Sequence, residues 1–259
     1  MAGAFVAVGI GFVSGVLSGM FGIGGGIITT PAIRFFTDAS ALVAVGTPLP
    51  VILPSAITGA ASYARRGLAD VRAGVVVGLA GSLTAVAGAW ATRLVGGSVV
   101  LVGTALLIVW AAADMTIQIY RPPREDADAH NVPNTGGRAL KLAAIGVLTG
   151  AYSGFFGLGG GFVLVPLLTR WLRYPIKVAI GTSLVAVALL AVPGTITHAL
   201  LGNIDWAIAA GLTVGVIPGA LVGARISAGA ADRRLRIGFA LLLLTMALWL
   251  GASEVGALL

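Results

Sequence analysis

The chain carries nearly the same message twice, 135 residues apart. Around Ser18 it reads S-G-M-F-G-I-G-G-G-I-I-T-T-P, and around Ser153 it reads S-G-F-F-G-L-G-G-G-F-V-L-V-P. The offset holds without a gap well beyond that motif. Gly46 and Thr47 meet Gly181 and Thr182, Gly59 meets Gly194, Gly67 and Asp70 meet Gly202 and Asp205, and Gly88 and Gly103 meet Gly223 and Gly238. A duplication marked by a glycine cluster inside apolar sequence, rather than by a charged cluster, is the construction expected of a secondary transporter.

The surface such a chain can present decides its class. Charged residues make up 10% of 259 and hydrophobic residues 58%, whereas a soluble domain carries about 25% charged residues to face water. The surface must therefore face lipid. The net charge of +7 is spread singly or in small groups between apolar runs. It forms no aromatic-plus-basic face, which excludes nucleic acid as a partner. The absence of cysteine excludes disulfides, thiol catalysis and thiolate metal sites. The first apolar run, Gly3 to Phe21, opens with no basic stretch and is long enough to span a membrane, so it reads as a first helix rather than a cleaved signal.

Long apolar runs occupy 3–22, 41–63, 71–94, 98–119, 140–156, 177–201, 205–228 and 235–252, and shorter ones, 27–36 and 162–172, follow the glycine clusters. The hydrophilic stretch Tyr120 to Lys141 is too rich in charge, proline and glycine for a membrane helix. The expected organisation is therefore a first repeat over 1–119, a polar cytoplasmic linker over 120–139 and a second repeat over 140–259. The sixteen basic residues test the topology, since Lys and Arg accumulate in cytoplasmic loops. If each short run were merged with its long neighbour, the basic residues would divide 7 to 9. If each short run turns back, only Arg34 and Arg93 lie on the N-terminal side and fourteen share the other. The second division predicts inverted halves of about five segments, both termini outside, and the linker and the loops near 65–72, 170–177 and 225–236 inside. Ten helical residues cover only about 15 Å, so the short runs are expected as half-helices.

The glycine clusters are where backbone can open. Gly22, Gly24, Gly25 and Gly26, with Gly157, Gly159, Gly160 and Gly161, remove side chains where one helix ends and the next begins. Irregular backbone at membrane depth survives only when buried in protein or lining a cavity. A helix resuming at Ile27 or Phe162 points unpaired N–H groups and a positive dipole end into the break, which is an anion site without a buried cation. Close helix packing is the competing use of small residues. Three consecutive glycines, repeated in register and each followed by a proline (Pro31, Pro166), favour the break.

These residues resemble the sulfite exporter TauE/SafE family, also described as the four-toluene-sulfonate uptake permeases. The resemblance rests on G-x-G-G-G-x-x-x-x-P at Gly22–Pro31 and Gly157–Pro166 and on A-x-G-T at Ala44–Thr47 and Ala179–Thr182, and it covers essentially the whole chain. It implies a multi-pass permease of the bacterial inner membrane for small sulfur-containing anions such as sulfite, sulfonates or sulfoacetate. One departure is Pro48 where the second half has Ser183, so the two half-sites are chemically unequal.

The remaining polar residues have two readings each. Ser18 and Ser153 precede the clusters, and Thr47 and Thr182 share a repeat position; their hydroxyls can donate to an oxyanion or bond back to their own helix. His198, equivalent to Tyr63, is a candidate for proton coupling or a structural histidine near the outer interface. Asp70 and Asp205 read as N-caps, Asp114 as interfacial beside Arg121, and Arg34 as an anion attractor or a snorkelling residue. No paired carboxylate at helical spacing inside the membrane, no His/Glu metal cluster, no phosphate loop and no serine with a general base is present, so neither an enzyme nor a cofactor or metal is expected. The expectation is an all-α membrane protein of two inverted repeats. Its partners are a small anionic substrate and the lipid bilayer, with a homo-oligomer left open. A permease for another small organic anion and a channel-like pore are the competing functions.

Overall fold

The computed structural model describes residues 2–36, 39–91, 97–119, 137–156 and 159–258, and every regular element among them is a helix. The first half holds α1 (Ala2–Phe21), α2 (Gly26–Phe36), α3 (Ala41–Gly46), α4 (Pro48–Ala64), α5 (Val71–Ala91) and α6 (Gly97–Ile119). The second holds α7 (Arg138–Phe156), α8 (Gly161–Trp171), α9 (Ile176–Leu200), α10 (Trp206–Gly229) and α11 (Asp232–Leu258). Among the described residues, five stretches are long and apolar enough to cross a membrane: α3 with α4 from Leu42, α5, α7, α9 and α10. Large apolar side chains point outward, as lipid requires: Leu83 on α5 is 82% exposed.

Two departures from the sequence expectation have clear causes. The first-half run 41–63 is divided at Thr47, whereas its equivalent, α9, is continuous. Pro48 has no N–H to continue the helical ladder and sits at the first position of α4; Ser183 keeps that bond. α7 also begins earlier than the apolar run, taking Arg138 to Lys141 from the polar stretch into its first turn. The rest of the linker, 120–136, lies outside the described residues, as do Arg93, Arg121 and Gly157.

The halves interleave. α1 packs along α10, and α7 along α5. Gly11, Gly15 and Gly19 on α1 lie against the backbone of Leu212, Val216 and Ala220, while Gly146, Gly150 and Gly154 on α7 lie against Val77, Gly81 and Ala85. Each set is the other moved by 135 residues, and the numbers rise together, so both pairs are parallel. A Cβ at these glycines would collide with the facing main chain, so the absent side chains set how closely the helices approach. α4 and α9, themselves repeat equivalents, run antiparallel: Gly46 lies by Asn203, Gly59 by Leu184, and Gly181 by Tyr63. The core formed between them includes Ile27, Ile52, Phe162, Leu164, Leu184 and Val187, all at most 1% exposed.

Polar side chains gather at one end of the bundle. Arg138 Nη2 donates to Asp70 Oδ2 (2.5 Å) and lies 2.6 Å from Tyr174 Oη, whose hydroxyl donates to the same carboxylate oxygen at 2.8 Å. Asp114 is buried in α6, pairs with Arg170 at the end of α8, and accepts from Gln118 at 2.5 Å; Arg121 lies outside the described residues. A buried carboxylate requires such a partner. Lys177 donates to Ala228 O and faces Asp232 at 3.8 Å.

Candidate functional site

Both glycine clusters are breaks, and they meet. α1 stops at Phe21, and Gly22, Gly24 and Gly25 take φ of +73°, +77° and +89° before α2 starts; Gly159 and Gly160, at +77° and +71°, precede α8. These left-handed values suit glycine alone without strain. A Cβ built on Gly24 would fall 2.8 Å from Val187 and 3.1 Å from Ile52, facing Gly159 O; one on Gly159 would fall 2.8 Å from Ile52, facing Ile23 O. Gly161 lies against Gly22 and Ile23. Residues 22–24 and 159–161 are therefore in direct contact, flanked by Ile52 and Val187, which are repeat equivalents. Every described residue from Gly22 to Ile27 and from Gly159 to Val165 is buried.

Helical bonding resumes only past each break. Gly25 O accepts the amides of Ile28 and Thr29, both at 3.1 Å; Gly160 O accepts those of Val163 at 3.3 Å and Leu164 at 3.1 Å. The amides of Gly26, Ile27, Gly161 and Phe162 open their helices, where no preceding turn offers a carbonyl. Two helix N-termini thus begin at the junction of the two breaks, and their dipole ends favour negative charge.

Hydroxyls brace the first break. Ser14 Oγ donates to Gly25 O at 3.0 Å, Ser55 Oγ donates to Ser18 Oγ at 2.9 Å, and Ser183 Oγ lies 3.0 Å from Gly22 O and 2.8 Å from Ile180 O. At the second break, a Cβ on Gly160 would meet Thr149 Cγ2 at 2.9 Å and Ser153 Cβ at 3.2 Å. Of the sequence candidates, Ser18, Gly22, Gly24, Gly25, Gly26, Ser153, Gly159, Gly160 and Gly161 come together here. Gly157 is outside the described residues.

Thr47 and Thr182 each accept a backbone amide from the opposite half. Asp70 N–H donates to Thr182 Oγ1 at 2.9 Å, and Asp205 N–H donates to Thr47 Oγ1 at 3.0 Å. The two bonds are repeat images of one another, and each joins one half to the loop of the other. Asp70 Oδ1 caps α5 through Ala73 N–H, and Asp205 Oδ1 caps α10 through Ala207 and Ile208. His198 is buried in the last turn of α9, with Nδ1 3.0 Å from a Cβ built on Gly46. Its equivalent Tyr63 donates to Gly19 O at 2.9 Å.

Ser14, Ser55, Thr149, Ser183, Ile52 and Val187 were not among the sequence candidates. A signal existed for one pair: Ser14 and Thr149 are hydroxyls at one repeat position, a single turn before Ser18 and Ser153.

Residues 7–250 match the family described as Sulfite exporter TauE/SafE. The chain belongs to that family. Among curated relatives, it is 31% identical over 247 residues to a "Probable membrane transporter protein" of Xylella fastidiosa (strain 9a5c), covering 94% of this chain and 93% of the relative. It is 25% identical to "Probable membrane transporter protein YunE" of Bacillus subtilis (strain 168), over 85% of each chain. It is 27% identical to "Probable membrane transporter protein MJ0441" of Methanocaldococcus jannaschii, over 93% and 92%. No solved structure matches the chain. This TauE/SafE protein is a membrane transporter.

Proposed function

We propose that this protein is a secondary carrier for small sulfur-containing anions such as sulfite or organosulfonates, built from two inverted repeats in a bacterial inner membrane. The anion sits where the breaks meet, held by the N-termini of α2 and α8 and by Ser18 and Ser153. Thr47 and Thr182 fix the distance between the halves. The observation that carries this reading is the contact of residues 22–24 with 159–161 at the start of two helices. Two positive dipole ends and small hydroxyls suit an oxyanion and require no buried cation. Arg138, Arg170 and Lys177 are engaged at helix ends with Asp70, Asp114 and Asp232.

Support for the inverted arrangement comes from the antiparallel pairing of the equivalent α4 and α9 and from the partition of basic residues. In this reading both termini are outside, and the Asp70–Arg138–Tyr174 end is cytoplasmic. Alternating access then rocks one repeat against the other about the shared breaks.

The test is binding of sulfite, sulfate, thiosulfate, taurine and sulfoacetate to purified protein, followed by counterflow in proteoliposomes. Saturable binding of a sulfur oxyanion and counterflow of it are expected. Binding of carboxylates alone would move the substrate to another organic anion, and flux without saturation or counterflow would make the protein a pore.

A further inference from the structure

The two breaks are not equally supplied with hydroxyl donors. In the first half, the Ser14 hydroxyl is used on Gly25 O and that of Ser55 on Ser18. In the second half, Ser14 is replaced by Thr149, Leu17 by Tyr152 and Ser55 by Leu190. Thr149 is 0% exposed, and among the described residues its Oγ1 has no hydrogen-bond partner; nor has the buried Oη of Tyr152. Buried hydroxyls are nearly always bonded, because an unmade bond costs the full desolvation of the group. Two such groups one turn apart on a single helix face are a departure that needs a reason.

Their placement supplies one. Thr149, Tyr152 and Ser153 share the face of α7 that lies over the start of α8. Thr149 and Ser153 roof Gly160, and the Tyr152 ring packs edge-on against Phe162 in the first turn of α8, with centroids 5.1 Å apart. Thr149 and Tyr152 thus both pack on the residues that open α8, Gly160 and Phe162. In the first half, Thr30 Oγ1 also lacks a partner among the described residues, but it lies past the first turn of α2 and is 9% exposed.

We propose that the transported oxyanion binds asymmetrically, at the second break, with the hydroxyls of Thr149 and Tyr152 donating to it beside the α8 N-terminus. This rests on the anion-carrier reading above and narrows it to the α8 side of the junction, since at the first break the Ser14 and Ser55 hydroxyls are already engaged with Gly25 O and Ser18. The ligand class is a compact oxyanion with at least two acceptor oxygens that can face α7 and α8 together, as sulfite and sulfonate groups have.

The test uses Thr149→Val, Tyr152→Phe and the double variant, each isosteric, in the full chain. Affinity for sulfite and sulfoacetate is read by calorimetry, and melting of the anion-free protein is read in parallel. Each single change is expected to weaken binding about ten-fold, as loss of a hydrogen bond to a charged group does, without lowering the anion-free melting temperature. Thr149→Ser is expected to retain binding. If the double variant binds within three-fold of the parent, the asymmetric site is wrong although the carrier reading stands. If the parent protein itself binds none of the sulfur anions, both readings fall.

Discussion

The same substitution at two repeat-equivalent positions should have different consequences. Asp70 and Asp205 both cap helices, through Ala73 and through Ala207 and Ile208. Only Asp70 also holds Arg138 and Tyr174, because the positions equivalent to those residues are Gly3 and Ala39. Asn caps a helix as well as Asp does, so an Asp→Asn change leaves each cap and removes only charge. At Asp205 the expected effect on stability is within about 0.5 kcal/mol, as for an ordinary near-surface change. At Asp70 the lost interaction lies between two limits. The pair is 18% and 15% exposed, so it exceeds the 0–1 kcal/mol or so of a surface pair but falls short of the roughly 3–5 kcal/mol for breaking a fully buried one. About 2 kcal/mol is the resulting figure, equivalent to a melting shift of about 4–8 °C at this chain length. Melting of Asp70→Asn and Asp205→Asn in the same detergent measures the difference directly. Equal shifts, or a neutral Asp70→Asn, would show that the Arg138–Tyr174 cluster contributes nothing beyond the cap.

Three further outcomes are expected. Gly25→Val and Gly160→Val should abolish transport in proteoliposomes while the protein still inserts and elutes as a single species. Their φ of +89° and +71° and contacts of 2.7 Å to Ser14 and 2.9 Å to Thr149 leave no place for a branched side chain; normal transport would reduce the breaks to packing. Burial, opposed by the Arg138 bond and aided by the Asp70 bond, pushes the Tyr174 phenol up from 10.0 to about 12. Between those values the folded chain keeps a proton that the unfolded chain has released, so stability is full below pH 10 and declines towards 12; Tyr174→Phe should flatten that part of an alkaline melting series. Single cysteines replacing Asn131 and Gly256 of this cysteine-free chain should react differently with an impermeant thiol reagent in intact cells, with only the second labelled; equal labelling would defeat the inverted topology.

What the sequence disclosed and what it hid divide along a physical line. Helix positions follow from local hydropathy and glycine, so the runs 27–36 and 162–172 became α2 and α8 with little change. The breaks were legible because triple glycine has few other uses inside an apolar stretch. Thr47 and Thr182 were legible only as paired hydroxyls. Their partners, the amides of Asp205 and Asp70, lie 158 and 112 residues away, and no local pattern encodes a bond across that separation. The Asp70–Arg138–Tyr174 cluster was hidden for the same reason and for one more: it has no repeat image, since Gly3 and Ala39 stand where Arg138 and Tyr174 would be. A duplicated chain draws attention to what its copies share, and here the shared residues set the frame, as the paired threonine bonds and the matching glycine contacts of α1 with α10 and α7 with α5 do. On the inverted-carrier reading proposed above, the chemistry that differs between the two sides of the membrane sits where the copies diverge. Ser14 against Thr149, Leu17 against Tyr152, Ser55 against Leu190 and Pro48 against Ser183 each put at least one member beside a break or its bracing serine, and Arg138 and Tyr174, where the first half has Gly3 and Ala39, close one end. A perfectly symmetric carrier would bind and gate alike in both orientations. These six departures are where such equality is lost, and a variant that restores symmetry there should change affinity or sidedness before it changes the fold.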